Sequence, residues 1–242
     1  MGSEGKGTVI VTGASRGIGA AAVHAFLDRG YHVVATSRSV SNAGFEPSSS
    51  LVLVDGDIGQ ESTAEKVTRR AIAAFGSIHH VVNNAGIFSA KPFTAYTAED
   101  FRALVSTNLA GFVFITQLAV NQMLLQGAGG SVTTITAALV DNPGAGSPAS
   151  IAMITKGGLE TITQHLAMEY AKDGIRVNAV APGAVYTPLH RNTPKDVMES
   201  MSPMGRPSTV REITDAVMYL IDAPTVTGHI LYVDGGAHFG RW

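Results

Sequence analysis

Short runs of β-branched residues alternate with runs of helical period along most of the chain. Residues 7–12 (GTVIVT) read as a strand. After a glycine-rich turn, residues 18–29 (IGAAAVHAFLDR) repeat apolar positions at helical spacing up to Gly30, a C-cap signal. Further strands are expected at 31–37, 51–55, 78–83, 131–136, 176–180 and 229–233, and helices at 60–75, 98–125, 149–171 and 211–221. Repeated strand–helix units require crossover connections. The pattern therefore predicts an α/β fold with a doubly wound, mostly parallel sheet and helices on both faces. No linker or shift in composition divides the sequence, so one domain spanning 1–242 is expected.

Composition narrows the picture. With 45% hydrophobic and 15% charged side chains, 242 residues suffice for one well-filled core. A net charge of −2 supplies no basic field for a phosphate backbone, so nucleic acid is not an expected partner. No uninterrupted apolar run reaches the roughly 20 residues of a spanning helix, and no membrane association is expected. The chain has no cysteine, which excludes disulfides, thiolate catalysis and cysteine-ligated metal and suits a cytoplasmic protein. No metal site is expected. Residues 1–6 belong to a polar opening that lacks the charged-then-apolar order of a secretion signal and reads as a tag remnant or a frayed end.

The strongest chemical signal is the turn Gly13-Ala14-Ser15-Arg16-Gly17-Ile18-Gly19 between the first strand and the first helix. Glycines let the chain turn tightly and let a pyrophosphate approach the helix N-terminus, whose unpaired N–H groups and dipole favour anions. A glycine-rich turn can also stand without a ligand. The strand-glycine-helix context favours the dinucleotide.

Together with Asn83-Asn84-Ala85-Gly86, Asn108 in STNLAG, Lys156, Pro182-Gly183 in NAVAPG and the VDGG at 233–236, this turn resembles the classical short-chain dehydrogenase/reductase family from about Gly5 to Gly236. The resemblance implies a Rossmann-type fold with a seven-stranded sheet, a nicotinamide cofactor, a small-molecule substrate and a homo-oligomer, dimer or tetramer, built across the two long helices. It further implies that Ser15, Ile18 and their neighbours cradle the cofactor, that Asp57-Ile58 bracket adenine, that Asn84-Ala85-Gly86 lie along the cofactor, and that Pro182-Gly183 through Thr187 hold the nicotinamide. Residues 186–210, rich in proline and carrying Met198, Met201 and Met204, stand where the family keeps its substrate lid.

Charge argues the choice of nucleotide. Folds that take NAD usually end the second strand on an acid that accepts from the ribose 2′-OH, whereas a 2′-phosphate suits arginine. Here Ser37 stands in that place with Arg38 beside it, and Arg16 lies in the glycine turn. Guanidinium forks fit phosphate geometry, so NADP is expected over NAD.

The family's catalytic set is asparagine, serine, tyrosine and lysine. Asn108 and Lys156 are present, but Ala152 stands one helical turn before Lys156 where the tyrosine would be, and the segment Ile135-Thr136-Ala137-Ala138 offers only the Thr136 hydroxyl near the serine's place. Hydride transfer with a non-standard proton donor is the expectation. The candidates are Tyr186, His190, Thr136, Lys156 or water, against a cofactor-binding pseudoenzyme as the alternative.

Overall fold

A computed structural model describes residues 6–144 and 146–239. The reading of the opening segment as a tag or frayed end therefore falls, for residues 1–5, outside the described residues.

Seven strands, β1 (Thr8–Thr12), β2 (His32–Ser37), β3 (Leu51–Asp55), β4 (His80–Asn83), β5 (Gly130–Ile135), β6 (Ile175–Pro182) and β7 (Ile230–Val233), form one sheet in the order β3-β2-β1-β4-β5-β6-β7. Every pairing is parallel. Such strands are covered on both faces, and Val9, Ile10, Val11, Val33, Val34, Val81 and Val82 are wholly buried. One face packs under α1 (Gly17–Asp28) and α7 (Val210–Asp222), where Phe26, Val217 and Leu220 meet Val9, Val33 and Val180. The opposite face packs under α2 (Glu61–Phe75) and the long helices described next.

The helix expected at 98–125 is a helical run from Ala98 to Gln126 with an interruption: α3 (Ala98–Leu104), a π-helical turn (Val105–Ala110) and α4 (Gly111–Gln126). Its start is a capping box in which the Thr97 hydroxyl accepts from the Asp100 N–H while the Asp100 carboxylate accepts from the Thr97 N–H. By length and a mean hydropathy of 1.7 this run passes the test for a membrane span, contrary to the expectation from uninterrupted apolar stretches. Its apolar side chains Phe112, Ile115, Ala119 and Met123 are instead buried on the sheet.

Between β2 and β3 there is no helix, only a 3-10 turn (Val40–Asn42) whose Val40 is buried and whose Ser41 N–H and hydroxyl donate to the Asp55 carboxylate. The remaining α-helices among the described residues are α5 (Ser150–Glu169) and, inside the stretch 186–210, the short α6 (Lys195–Ser200), which the sequence pattern does not single out. Met198 of α6 is buried, whereas Met204 is exposed.

Candidate functional site

A doubly wound sheet opens a crevice outside the carboxyl ends of its strands where the strand order reverses, and here that point lies between β1 and β4. The glycine turn leaves β1 at this crevice. Gly13 adopts φ +64°, and a Cβ on Gly13 would stand 2.8 Å from the Ala85 Cα. Gly19 packs more tightly still: a Cβ there would meet the Gly13 carbonyl oxygen and the Asn84 Nδ2 far inside contact distance. Asn84 braces the turn, its Nδ2 donating to the carbonyls of Thr12 (3.0 Å) and Gly13 (3.1 Å). The Thr12 hydroxyl accepts from the N–H groups of Asn84 and Ala85. Close backbone packing thus needs glycine at both positions.

The turn delivers α1 with its N-terminal N–H groups free. Arg16, the residue before the helix, makes no side-chain cap, and the first turn holds no acid. Helix starts normally satisfy those donors with a side chain. An uncapped helix start at a glycine cradle fits the pyrophosphate of a dinucleotide. Ser15 and Ile18 are partly buried beside it, and Arg16 and Arg38, the latter just past β2, are exposed with no ion-pair partner among the described residues. Ile58 is buried after β3, and the exposed Asp57 accepts from the Gly59 N–H, so its carboxylate shapes that turn. Thr187 and Pro188 lie opposite Gly17, which brings the loop after Pro182-Gly183 over the glycine turn.

Toward the other end of the crevice, Asn108 is buried inside the π turn. Its Oδ1 accepts from the Ile87 N–H (2.9 Å), and its Nδ2 donates to the Ile87 carbonyl (3.1 Å) and the Thr155 hydroxyl (2.9 Å). Thr155 donates on to the Ala152 carbonyl at 2.7 Å. One asparagine therefore ties the segment after β4 to α5. The extra residue of a π turn re-aims side chains, and such turns are frequent at functional sites.

Lys156 is partly buried, and its Nζ donates to the Ile135 carbonyl at 2.7 Å. A Cβ on Gly86 would lie 3.3 Å from both the Lys156 Nζ and the Asn108 Oδ1, so these three residues meet at one point. Burial pulls the Lys156 pKa down to about 8, against a smaller upward pull from the Glu160 carboxylate. That value puts its charge change within reach of neutral pH.

The other candidate proton donors are placed differently. Ala152 is 1% exposed and packs with Leu104, Ala149 and Ile151, with Tyr96, Leu139 and Met153 against the cluster. The Tyr96 phenol donates to the Ser89 carbonyl at 2.6 Å. Thr136 is buried, its hydroxyl donating to the Val180 carbonyl at 3.3 Å, so it is engaged with backbone. Tyr186 is 46% exposed, and His190 is partly buried, which lowers its pKa. The structure brings Asn108, Lys156, Gly86 and Ala152 together, and leaves Tyr186 on the exposed loop.

A residue that sequence periodicity does not single out is Glu160, one helical turn beyond Lys156 on the same face of α5. It is 8% exposed, its Oε1 has no hydrogen-bond partner, and burial raises its pKa to about 7. The signal present in the sequence is the i+4 spacing from Lys156 alone.

The family model described as enoyl-(acyl carrier protein) reductase matches residues 13–238. Carbonyl reductase family member 4 of Xenopus tropicalis is 33% identical over 228 residues, covering 93% of this chain and 95% of the relative. Among solved structures, the 3-ketoacyl-(acyl-carrier-protein) reductase of Brucella melitensis complexed with NADH superposes with a TM-score of 0.89 at 27% identity, covering 98% of this chain and 100% of that one. ElxO with NADP bound gives a TM-score of 0.88 at 26% identity over the same shares. The seven-stranded parallel sheet, the glycine turn at its switch point and these matches agree that the chain belongs to the short-chain dehydrogenase/reductase family, whose members here are NAD(P)-dependent oxidoreductases.

Proposed function

We propose that this protein is an NADP(H)-dependent oxidoreductase that moves a hydride to or from a small carbonyl or alcohol substrate, or across a C=C or imine bond, with Lys156 in place of tyrosine as the proton donor. The observation that carries this reading is the meeting of Lys156, Asn108 and Gly86 at the mouth of the glycine cradle, with a methyl group at Ala152. The names of the relatives, a carbonyl reductase and a 3-ketoacyl reductase, support a carbonyl as the acceptor.

Bound nicotinamide supplies the hydride; the chain's residues do the rest. Gly13, Gly17 and Gly19 would admit the pyrophosphate to the start of α1, and Ser15, Ile18, Asp57, Ile58, Asn84, Ala85, Pro182, Gly183 and Thr187 would line the rest of the cofactor. Arg16 and Arg38 would hold the 2′-phosphate of NADP. Lys156, held by the Ile135 carbonyl, keeps two N–H bonds for ribose and for a water or substrate oxygen. Asn108 fixes α5 against the segment after β4 and so sets where Lys156 stands. Residues 186–210 would close over the substrate as a lid, and the exposed Met201 and Met204 give that segment flexible apolar side chains. Exposed Leu125, Ile154 and Met168 on the long helices support a dimer or tetramer, and the cysteine-free composition supports a cytoplasmic location.

Two measurements test this. Fluorescence titration should show tighter binding of NADPH than NADH, and Arg38→Ala should weaken NADPH by about 10-fold, the loss of roughly one charge-assisted hydrogen bond at an exposed site, with NADH unchanged. Equal loss for both nucleotides would remove Arg38 from the 2′-phosphate. NADPH oxidation over a panel of aldehydes, ketones and 3-oxoacyl thioesters should reveal turnover on at least one of them. Tight NADPH binding with no turnover on any of them would instead favour the cofactor-binding pseudoenzyme.

A further inference from the structure

Three groups beside the site have no part in the mechanism above: a cavity of about 10 Å³ beneath Asn108 lined by Thr12, Asn83 and Thr134, the Asp234–His238 pair near the C-terminal end, and Glu160. Glu160 supports the strongest argument. A carboxyl with an unpartnered, fully buried oxygen is costly, and perturbed buried carboxyls cluster at functional sites.

The Ile135-Thr136 end of β5 joins Glu160 to Lys156. Ile135 holds Lys156 through its carbonyl, and Thr136, the next residue, donates its hydroxyl to the Val180 carbonyl and is also the donor that pulls the Glu160 pKa down against burial. That hydroxyl has one hydrogen for two acceptors. With Glu160 neutral, the hydrogen goes to Val180; with Glu160 ionised, the charge-assisted bond to the carboxylate is the stronger one. The charged groups facing Glu160 are Lys156 on its own helix and Asp141 beyond β5.

We propose that Glu160 is a positioning residue that governs the charge on Lys156, its ionisation holding the ammonium in the charged, proton-donating form. This rests on the reading of Lys156 as the donor. As pH rises through neutrality, burial makes Glu160 ionise at about 7, before Lys156 loses its proton at about 8. The carboxylate so formed then keeps the proton on the ammonium, because an opposite charge one helical turn away favours the charged form. Thr136 supports that carboxylate, which gives its hydroxyl a task other than contact with substrate.

The coupling is measurable without turnover, in protein with carbon-13 at the lysine Cε positions, the Lys156 resonance being assigned by its loss in Lys156→Met. In the unaltered protein this resonance should titrate with a main step near pH 8 and a smaller inflection near 7. Glu160→Gln should abolish the inflection and shift the main midpoint downward, because the carboxylate is the group that raises it. Thr136→Val should move the inflection upward by removing the hydroxyl that steadies the carboxylate, and it keeps the test available if Glu160→Gln does not fold. The unmoved resonances of the other lysines report folding in each variant. A Lys156 titration unchanged in whichever of the two variants fold overturns the proposal, whether or not the protein reduces any carbonyl; a lost inflection with no NADPH oxidation leaves the coupling standing and sinks the donor role alone.

Discussion

Gly19→Ala is expected to abolish measurable dinucleotide binding and to destabilise the fold. The added methyl would sit 2.3 Å from the Gly13 carbonyl oxygen and 2.5 Å from the Asn84 Nδ2, both tied into the brace between β1 and the segment after β4. Neither neighbour is the free end of a flexible side chain, so backbone must move. Overpacking of this kind costs about 1–3 kcal/mol. Displacing the start of α1 also misaims the N–H groups that receive phosphate, and losing two charge-assisted hydrogen bonds at roughly 1.5–3 kcal/mol each lowers affinity by at least ~100-fold. Urea unfolding and NADPH fluorescence titration would read the two effects. Unchanged affinity in a folded Gly19→Ala protein places the nucleotide somewhere other than this cradle.

Lys156→Met is expected to lower kcat/KM for carbonyl reduction by ~10²–10⁴-fold, the range for loss of a positioned proton donor. Methionine keeps the length and the apolar stem while removing the charge. The pH profile is the sharper readout. Lys156 has a pKa lowered to about 8 by burial, so its donating ammonium form is complete well below that pH and is lost as pH rises through it. Reduction by the unaltered protein should therefore decline on the alkaline side of about pH 8, and that limb should be missing in Lys156→Met. If the variant keeps the limb, the proton comes from another group, and His190 and Tyr186 become the residues to replace.

Much of the fold could be read along the chain because its determinants are local. The βα alternation, β3 at 51–55 and the close of α1 before Gly30 follow from period and turn chemistry, and all are present. The exceptions have non-local causes. No sequence signal announces the π turn at Val105–Ala110, in which Asn108 bonds to Ile87 and Thr155 on other segments. The 29-residue helical run is apolar enough for a membrane by composition alone, and only its packing on the sheet shows which side chains are core. The candidate site divides in the same way. Gly13, Gly19, Asn84 and Lys156 stand out as motif residues, whereas the sequence shows Thr136 only as a hydroxyl near the serine's place and packing engages it with the Val180 carbonyl. Glu160 is marked in the sequence only by its i+4 spacing from Lys156.

The sequence by itself determined the order of strands and helices, the glycine turn where a dinucleotide fits, and the absence of a phenol before Lys156, since each depends on residue identity and near neighbours. Tertiary structure decided the charge states and the company each group keeps. Lys156 moves toward neutral pH and Glu160 rises to meet it only because chain segments distant in sequence remove water from both. Ala152 follows the same division: its methyl is a fact of sequence, but that the space around it is filled by Leu104, Ala149 and Ile151 is a fact of packing.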